Sequence, residues 1–155
     1  MNTKHENRQS IELFLKAMYN FDELAVRSFI QNIFSQNVKI HMCHPFGDLL
    51  KGEFYDNCFA PLVAAIPDVE RRDTIVVSGK TIQGKNWVGC CGSYIGTFVG
   101  PFLEIPPTGH LVHMRFHEFY CFEDNKIIEV QALSLIHISE PTRPRLISYA
   151  VFCLK

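Results

Sequence analysis

The chain has 155 residues, 47% of them hydrophobic, and a formal net charge of -1. That length supplies one domain with a core large enough to stand without metal or disulfide staples, and the balanced charge gives no footing for nucleic acid or an acidic membrane surface. Residues 1–8 are polar and no apolar run approaches spanning length, so the expected setting is the cytoplasm, with a small molecule as the expected partner.

In chain order, Thr3-Lys4-His5-Glu6 has capping-box spacing, and Ile11, Phe14, Leu15 and Met18 then form the stripe of an amphipathic helix ending near Tyr19. Asp22 is placed to cap a second helix whose apolar side includes Leu24, Phe29, Ile30 and Ile33. A short strand is expected over 38–43. A third helical stretch starts near Gly52, with Phe54, Cys58, Phe59, Leu62 and Ile66 mostly on one side and a kink or restart at Pro61. After Pro67-Asp68 the pattern turns to strands over 74–78, 87–98, 111–122 and 126–131. Glu123-Asp124-Asn125 reads as a hairpin turn in which Asn125 takes positive φ. Glycines at 89, 92, 96 and 100 point to bulges or bends. Helices followed by antiparallel strands predict an α+β layer, a curved sheet packed on three N-terminal helices.

The six cysteines are irregularly spaced and form no CxxC pair, which favours buried thiols over a disulfide framework or a structural zinc site. Cys90 and Cys91 point to opposite faces of a strand, and no basic residue stands nearby in sequence to activate either.

The run Met114-Arg115-Phe116-His117-Glu118-Phe119-Tyr120-Cys121-Phe122 places Glu118 on one strand face with Phe116, Tyr120 and Phe122. A carboxylate among aromatic rings is poorly solvated, which moves it toward the range useful for proton transfer. The alternative is a structural carboxylate paired with Arg115, Arg71 or Arg72. His41 or His44 is a candidate donor or relay, at most one of them reaching a pocket unless the chain bends at Pro45. His117 shares its face with Arg115 and Phe119, away from Glu118. A metal reading would gather His41, His44, His113, His117 and Glu118, but these lack tight ligand spacing, and no metal is expected. Asp68, Glu70, Arg71 and Arg72 read most simply as a solvated connection whose charges could instead rim a pocket. Trp87, Tyr94 and Phe98 are core residues in a fold whose core opens around a ligand.

The order of elements, with Trp87-Val88-Gly89, Gly96-Thr97-Phe98, Ile105-Pro106-Pro107-Thr108-Gly109, His117-Glu118-Phe119-Tyr120 and Lys126-Ile127-Ile128-Glu129, resembles the SnoaL-like polyketide cyclases, a branch of the nuclear transport factor two-like superfamily. The resemblance covers residues 6–132. It implies a cone-shaped curved sheet with a deep apolar pocket, a homodimer, and ring closure by intramolecular aldol condensation without cofactor or metal. It also implies an acid/base at Glu118, in the penultimate strand; His41 and His44 are the candidate helpers, and Phe14, Met18, Trp87, Tyr94, Phe98, Phe116 and Tyr120 the expected substrate-binding residues. The family's other frequent acid, in a Trp-Asp pair after the last strand, would fall near Ser134 and Leu135, where this sequence has neither residue.

Residues 133–155 differ in character. Leu133-Ser134-Leu135-Ile136-His137-Ile138-Ser139-Glu140-Pro141-Thr142-Arg143 and Ile147-Ser148-Tyr149-Ala150-Val151-Phe152-Cys153-Leu154-Lys155 resemble two blocks of a translated sequencing adapter, in the right order around a short gap. The expected domain is therefore 1–132, followed by a non-native tail over 133–155. The leading expectation is an acid/base enzyme acting on an apolar carbonyl compound; the alternative is a non-catalytic module for ligand binding or dimerisation. The state of Glu118 separates them: locked by an arginine it favours binding, and open to a cavity beside a histidine it favours catalysis.

Overall fold

The computed structural model describes residues 3–138 and 147–150. Helix α1 (Thr3–Tyr19) buries Ile11, Phe14 and Met18, the expected stripe, while the side chains of the expected capping box lie outside the description. Helix α2 (Glu23–Ile33) begins where Asp22 accepts a hydrogen bond from the Ala25 amide at 3.0 Å, as its position predicts. Val26, Phe29 and Ile30 form its buried side, whereas Leu24, expected there, points into solvent.

Strand β1 (Phe34–Met42) follows α2 directly and is longer than expected, with a two-residue β2 (Asp48–Leu49) on its outer edge. The third helical stretch runs as α3 (Lys51–Phe54), a π turn (Tyr55–Phe59) and α4 (Ala60–Ala65). Its irregularity falls at the expected place: Pro61 has no amide to donate and its ring crowds the preceding turn, and just before it the Ala60 amide reaches five residues back to the Tyr55 carbonyl.

Strands β3 (Glu70–Lys80), β4 (Asn86–Thr97), β5 (Leu111–Glu123) and β6 (Lys126–Ile138) form the body of the sheet, in the order β2-β1-β6-β5-β4-β3. The sheet is mixed rather than wholly antiparallel, because β1 returns beside β6 through a long crossover and pairs with it in parallel. Asp124 and Asn125 both take positive φ, 47° and 60°, in the β5–β6 turn. Strand β3 carries an extra residue between Asp73 and Ile75, opposite Gly92, whose missing side chain leaves room for the Arg72 carbonyl.

Strand β6 pairs with β5 past the expected boundary at 132, through Phe116 with Ser134 to His113 with His137, and β7 (Ile147–Ala150) pairs with β6. The rest of the expected tail, residues 139–146 and 151–155, lies outside the described residues.

Candidate functional site

Strand alternation sends Arg71, Tyr94, Phe116, Glu118 and Tyr120 to the inner face of β3, β4 and β5, where all five are buried. Glu118 sits at the centre. Its Oε2 accepts from Arg71 Nη1 at 2.6 Å and from the Tyr120 hydroxyl at 2.6 Å, and its Oε1 accepts from the Tyr94 hydroxyl at 3.0 Å. Arg71 in turn donates to Tyr94 Oη at 2.9 Å and holds Asp73 through Nε and Nη2, at 2.9 and 3.0 Å. The guanidinium carbon lies 4.1 Å from the Phe116 ring centroid, a cation–π contact.

Burial works against the Arg71 charge, but Glu118, the two phenols and Asp73 together outweigh it, and the guanidinium pKa stands well above its ordinary value. Burial likewise raises both phenols well above their usual range, with Arg71 pulling Tyr94 back and Glu118 lifting Tyr120 further. Both hydroxyls therefore keep their protons and donate them to Glu118. Of the two readings of this acid, the structure shows the arginine-locked one: Arg71, read from sequence as part of a solvated connection, is fully buried on β3.

Glu118 and Tyr94 also form one wall of a cavity of about 710 Å3. Phe54, Cys58, Phe59 and Leu62 from the third helical stretch face them, Met42 to Phe46 close one end, and Phe102 to Pro106 close another. Burial, helped by the Glu118 charge, pushes the Cys58 thiol up to about 12, so it stays neutral. The loop turns at Leu103 and Glu104, both at positive φ, within a tight exchange of backbone hydrogen bonds between Phe102 and Ile105.

Of the residues expected at the site, Glu118, Tyr94 and His44 line this cavity, His44 at its exposed rim. Among the described residues no histidine is hydrogen-bonded to Glu118. His41 points away and pairs with Asp48 on β2 at 2.7 Å. Phe14 and Met18 are buried off the cavity wall, the Phe14 ring packing 5.0 Å from Phe29, 6.0 Å from Phe59 and 6.2 Å from Tyr120. Phe116 lies under Arg71, while Phe98 and Tyr120 are buried away from the cavity wall. Trp87 is half-buried and off the wall, because its odd position on β4 sends it to the face opposite Tyr94.

Outside the cavity, His117 stands beside Cys91: the two are opposite in register and Nδ1 lies 3.2 Å from Sγ. Among the described residues no group of three or more His, Cys, Asp or Glu is arranged to hold a metal ion, and no helix is long and apolar enough to cross a membrane.

The family model described as SnoaL-like polyketide cyclase matches residues 10–134. No curated protein sequence matches the chain. Among solved structures, a protein from Jannaschia sp. CCS1 classed as a SnoaL-like polyketide cyclase superposes with a TM-score of 0.70 at 17% identity, covering 86% of this chain and 88% of that one. AclR from Streptomyces galilaeus, classed as a hydroxylase, gives 0.68 at 15% identity, covering 84% and 76%. IdmH from Streptomyces antibioticus, classed as a polyketide cyclase, gives 0.66 at 19% identity, covering 84% and 92%. At such identities these likenesses establish the fold and leave the chemistry to the site.

Proposed function

The chain belongs to the SnoaL-like polyketide cyclase family, and from that premise we propose that it binds a small, largely apolar molecule in the cavity walled by Glu118 and Tyr94. The observation that carries this reading is the lock on Glu118: three donors fix the carboxylate beside an otherwise mostly apolar space. A small-molecule site has this make-up, apolar walls for affinity and a few fixed polar groups for orientation. We include in the proposal a cytoplasmic setting and a homodimer, on family grounds. The adapter origin of residues 133–155 is likewise our proposal, supported by the order of its two blocks, and sequencing the gene beyond Ala132 tests it.

A second reading, acid/base chemistry on an apolar carbonyl compound, is supported by the asymmetry of the lock. Oε2 takes two of the three donors and Oε1 takes one, which leaves Oε1 able to accept a proton from a bound molecule. Deuterium exchange at the acidic carbon of 2-tetralone, catalysed by the wild type and lost in Glu118→Gln, would establish that reading; equal exchange in both would remove it.

The binding reading is tested with 1-aminoanthracene, a neutral probe that brightens in apolar surroundings. Its fluorescence rises with the wild type and the rise is lost in Leu62→Trp, which fills the cavity. An equal rise in both proteins, or none in either, refutes cavity binding.

A further inference from the structure

The hydrogens at the cavity floor can be counted one by one, and the count selects a class of ligand. Tyr94 spends its only hydroxyl hydrogen on Glu118 Oε1, and Tyr120 spends its own on Oε2. Arg71 directs its two Nη1 hydrogens at Tyr94 Oη and Glu118, and Nε and one of its two Nη2 hydrogens at Asp73, and its side chain is not part of the cavity wall. No buried polar side-chain atom among the described residues lacks a partner. What Glu118 and Tyr94, the two of these groups on the cavity wall, keep open among the described residues is acceptor capacity. A carboxylate offers about four lone-pair sites and a phenol oxygen about two; Glu118 uses three of its sites and Tyr94 uses one.

We infer that the cavity recognises a ligand through a hydrogen-bond donor, a phenolic or enolic hydroxyl or an N–H, received by Glu118 Oε1 and Tyr94 Oη. This rests on the binding reading above and names the class of molecule that the site takes. A ligand whose polar group is a ketone, ether or carboxylate meets no free donor at Glu118 or Tyr94. An anion also meets repulsion, since one guanidinium already faces two carboxylates, Glu118 and Asp73. A buried acceptor left opposite another acceptor forfeits its hydration without compensation, and this sets the discrimination. The aromatic rings of Phe54, Phe59 and Tyr94 suit a flat apolar body attached to that donor.

The test is displacement of 1-aminoanthracene at pH 7 by three molecules of nearly one shape: 2-naphthol, 2-methoxynaphthalene and 2-naphthoate. The expected result is that 2-naphthol displaces the probe at a concentration at least tenfold below 2-methoxynaphthalene, and that 2-naphthoate is weaker still. Tyr94→Phe returns one Arg71 N–H to the cavity, so in that variant the gap between naphthol and its methyl ether narrows at least threefold. Equal displacement by naphthol and its ether, or tightest displacement by naphthoate, overturns the inference in the wild type alone, whatever the variant does. An unchanged gap in folded Tyr94→Phe overturns the assignment of the floor. A probe that fails to bind in the cavity at all refutes the binding reading instead, so the two failures are distinct.

Discussion

Arg71 Nη1 and Glu118 Oε2 meet at 2.6 Å with the arginine side chain fully buried and the glutamate side chain 7% exposed. The two residues lie on β3 and β5, with β4 between them contributing Tyr94 to the same network. Two carboxylates and two phenols thus depend on one cation for their place in the core.

Removal of that cation leaves Glu118 buried, and Asp73 half-buried, without a counter-charge. Arg71→Met is expected to destabilise the fold by about 3–5 kcal/mol, the usual cost of breaking a buried pair. Adding Glu118→Gln to Arg71→Met recovers part of that loss, because the more deeply buried of the two uncompensated charges is gone. Urea denaturation of the two single variants and the double variant measures the coupling. Strict additivity would contradict the network.

The phenols give stability a pH dependence on the alkaline side. Their folded pKa values are raised above the ordinary phenol value, so folding holds protons that the unfolded chain releases. The contribution is fully present below about pH 10 and is lost as pH rises further. Urea midpoints measured from pH 8 to 11 are expected to fall steeply at the top of the range, with a shallower fall in Tyr120→Phe. A variant slope equal to that of the wild type would contradict this.

Much of the architecture was legible because it is local. The stripe of α1, the Asp22 cap, the irregularity beside Pro61 and the Asp124-Asn125 turn depend on residues a few positions apart. The face of Glu118 followed from strand alternation for the same reason. Arg71 was less legible because Glu70-Arg71-Arg72-Asp73 has the composition of a solvated loop, and only the partner across two strands turns it inward. The signal available was the acid itself, since a carboxylate in an aromatic strand needs a cation. Trp87 failed on parity, and the 102–106 loop could not be assigned to the cavity because it arrives there through tertiary packing alone.

Gly92 fixes the bulge that lets Arg71 face inward while Ile75 and Val77 face out. A Cβ there would stand 2.0 Å from the Arg72 carbonyl oxygen and 2.9 Å from the Asp73 Cα, both backbone atoms. Gly92→Ala is therefore expected to cost about 2 kcal/mol or more, as overpacking does. A thermal midpoint within one degree of wild type would show that the strand yields freely.

Thiol chemistry separates the inner face from the outer. Burial pushes Cys58 and Cys90 up to about 12, with the Glu118 charge next for Cys58 and Arg71 pulling back on Cys90. In a Cys153→Ser background at pH 8, iodoacetamide is expected to label Cys91 first and to leave Cys58 and Cys90 largely unmodified until the protein is denatured. Peptide mapping reads the order, and prompt labelling of Cys58 would contradict the burial of the cavity wall.

The central claim is that the space walled by Glu118 and Tyr94 is where a small apolar molecule resides. Isotope-edited NMR with 1-aminoanthracene tests it most directly. The account predicts intermolecular contacts to the Leu62 and Met114 methyl groups and to the Tyr94 ring; contacts confined to the outer sheet face, at Ile75 and Val77, would contradict it.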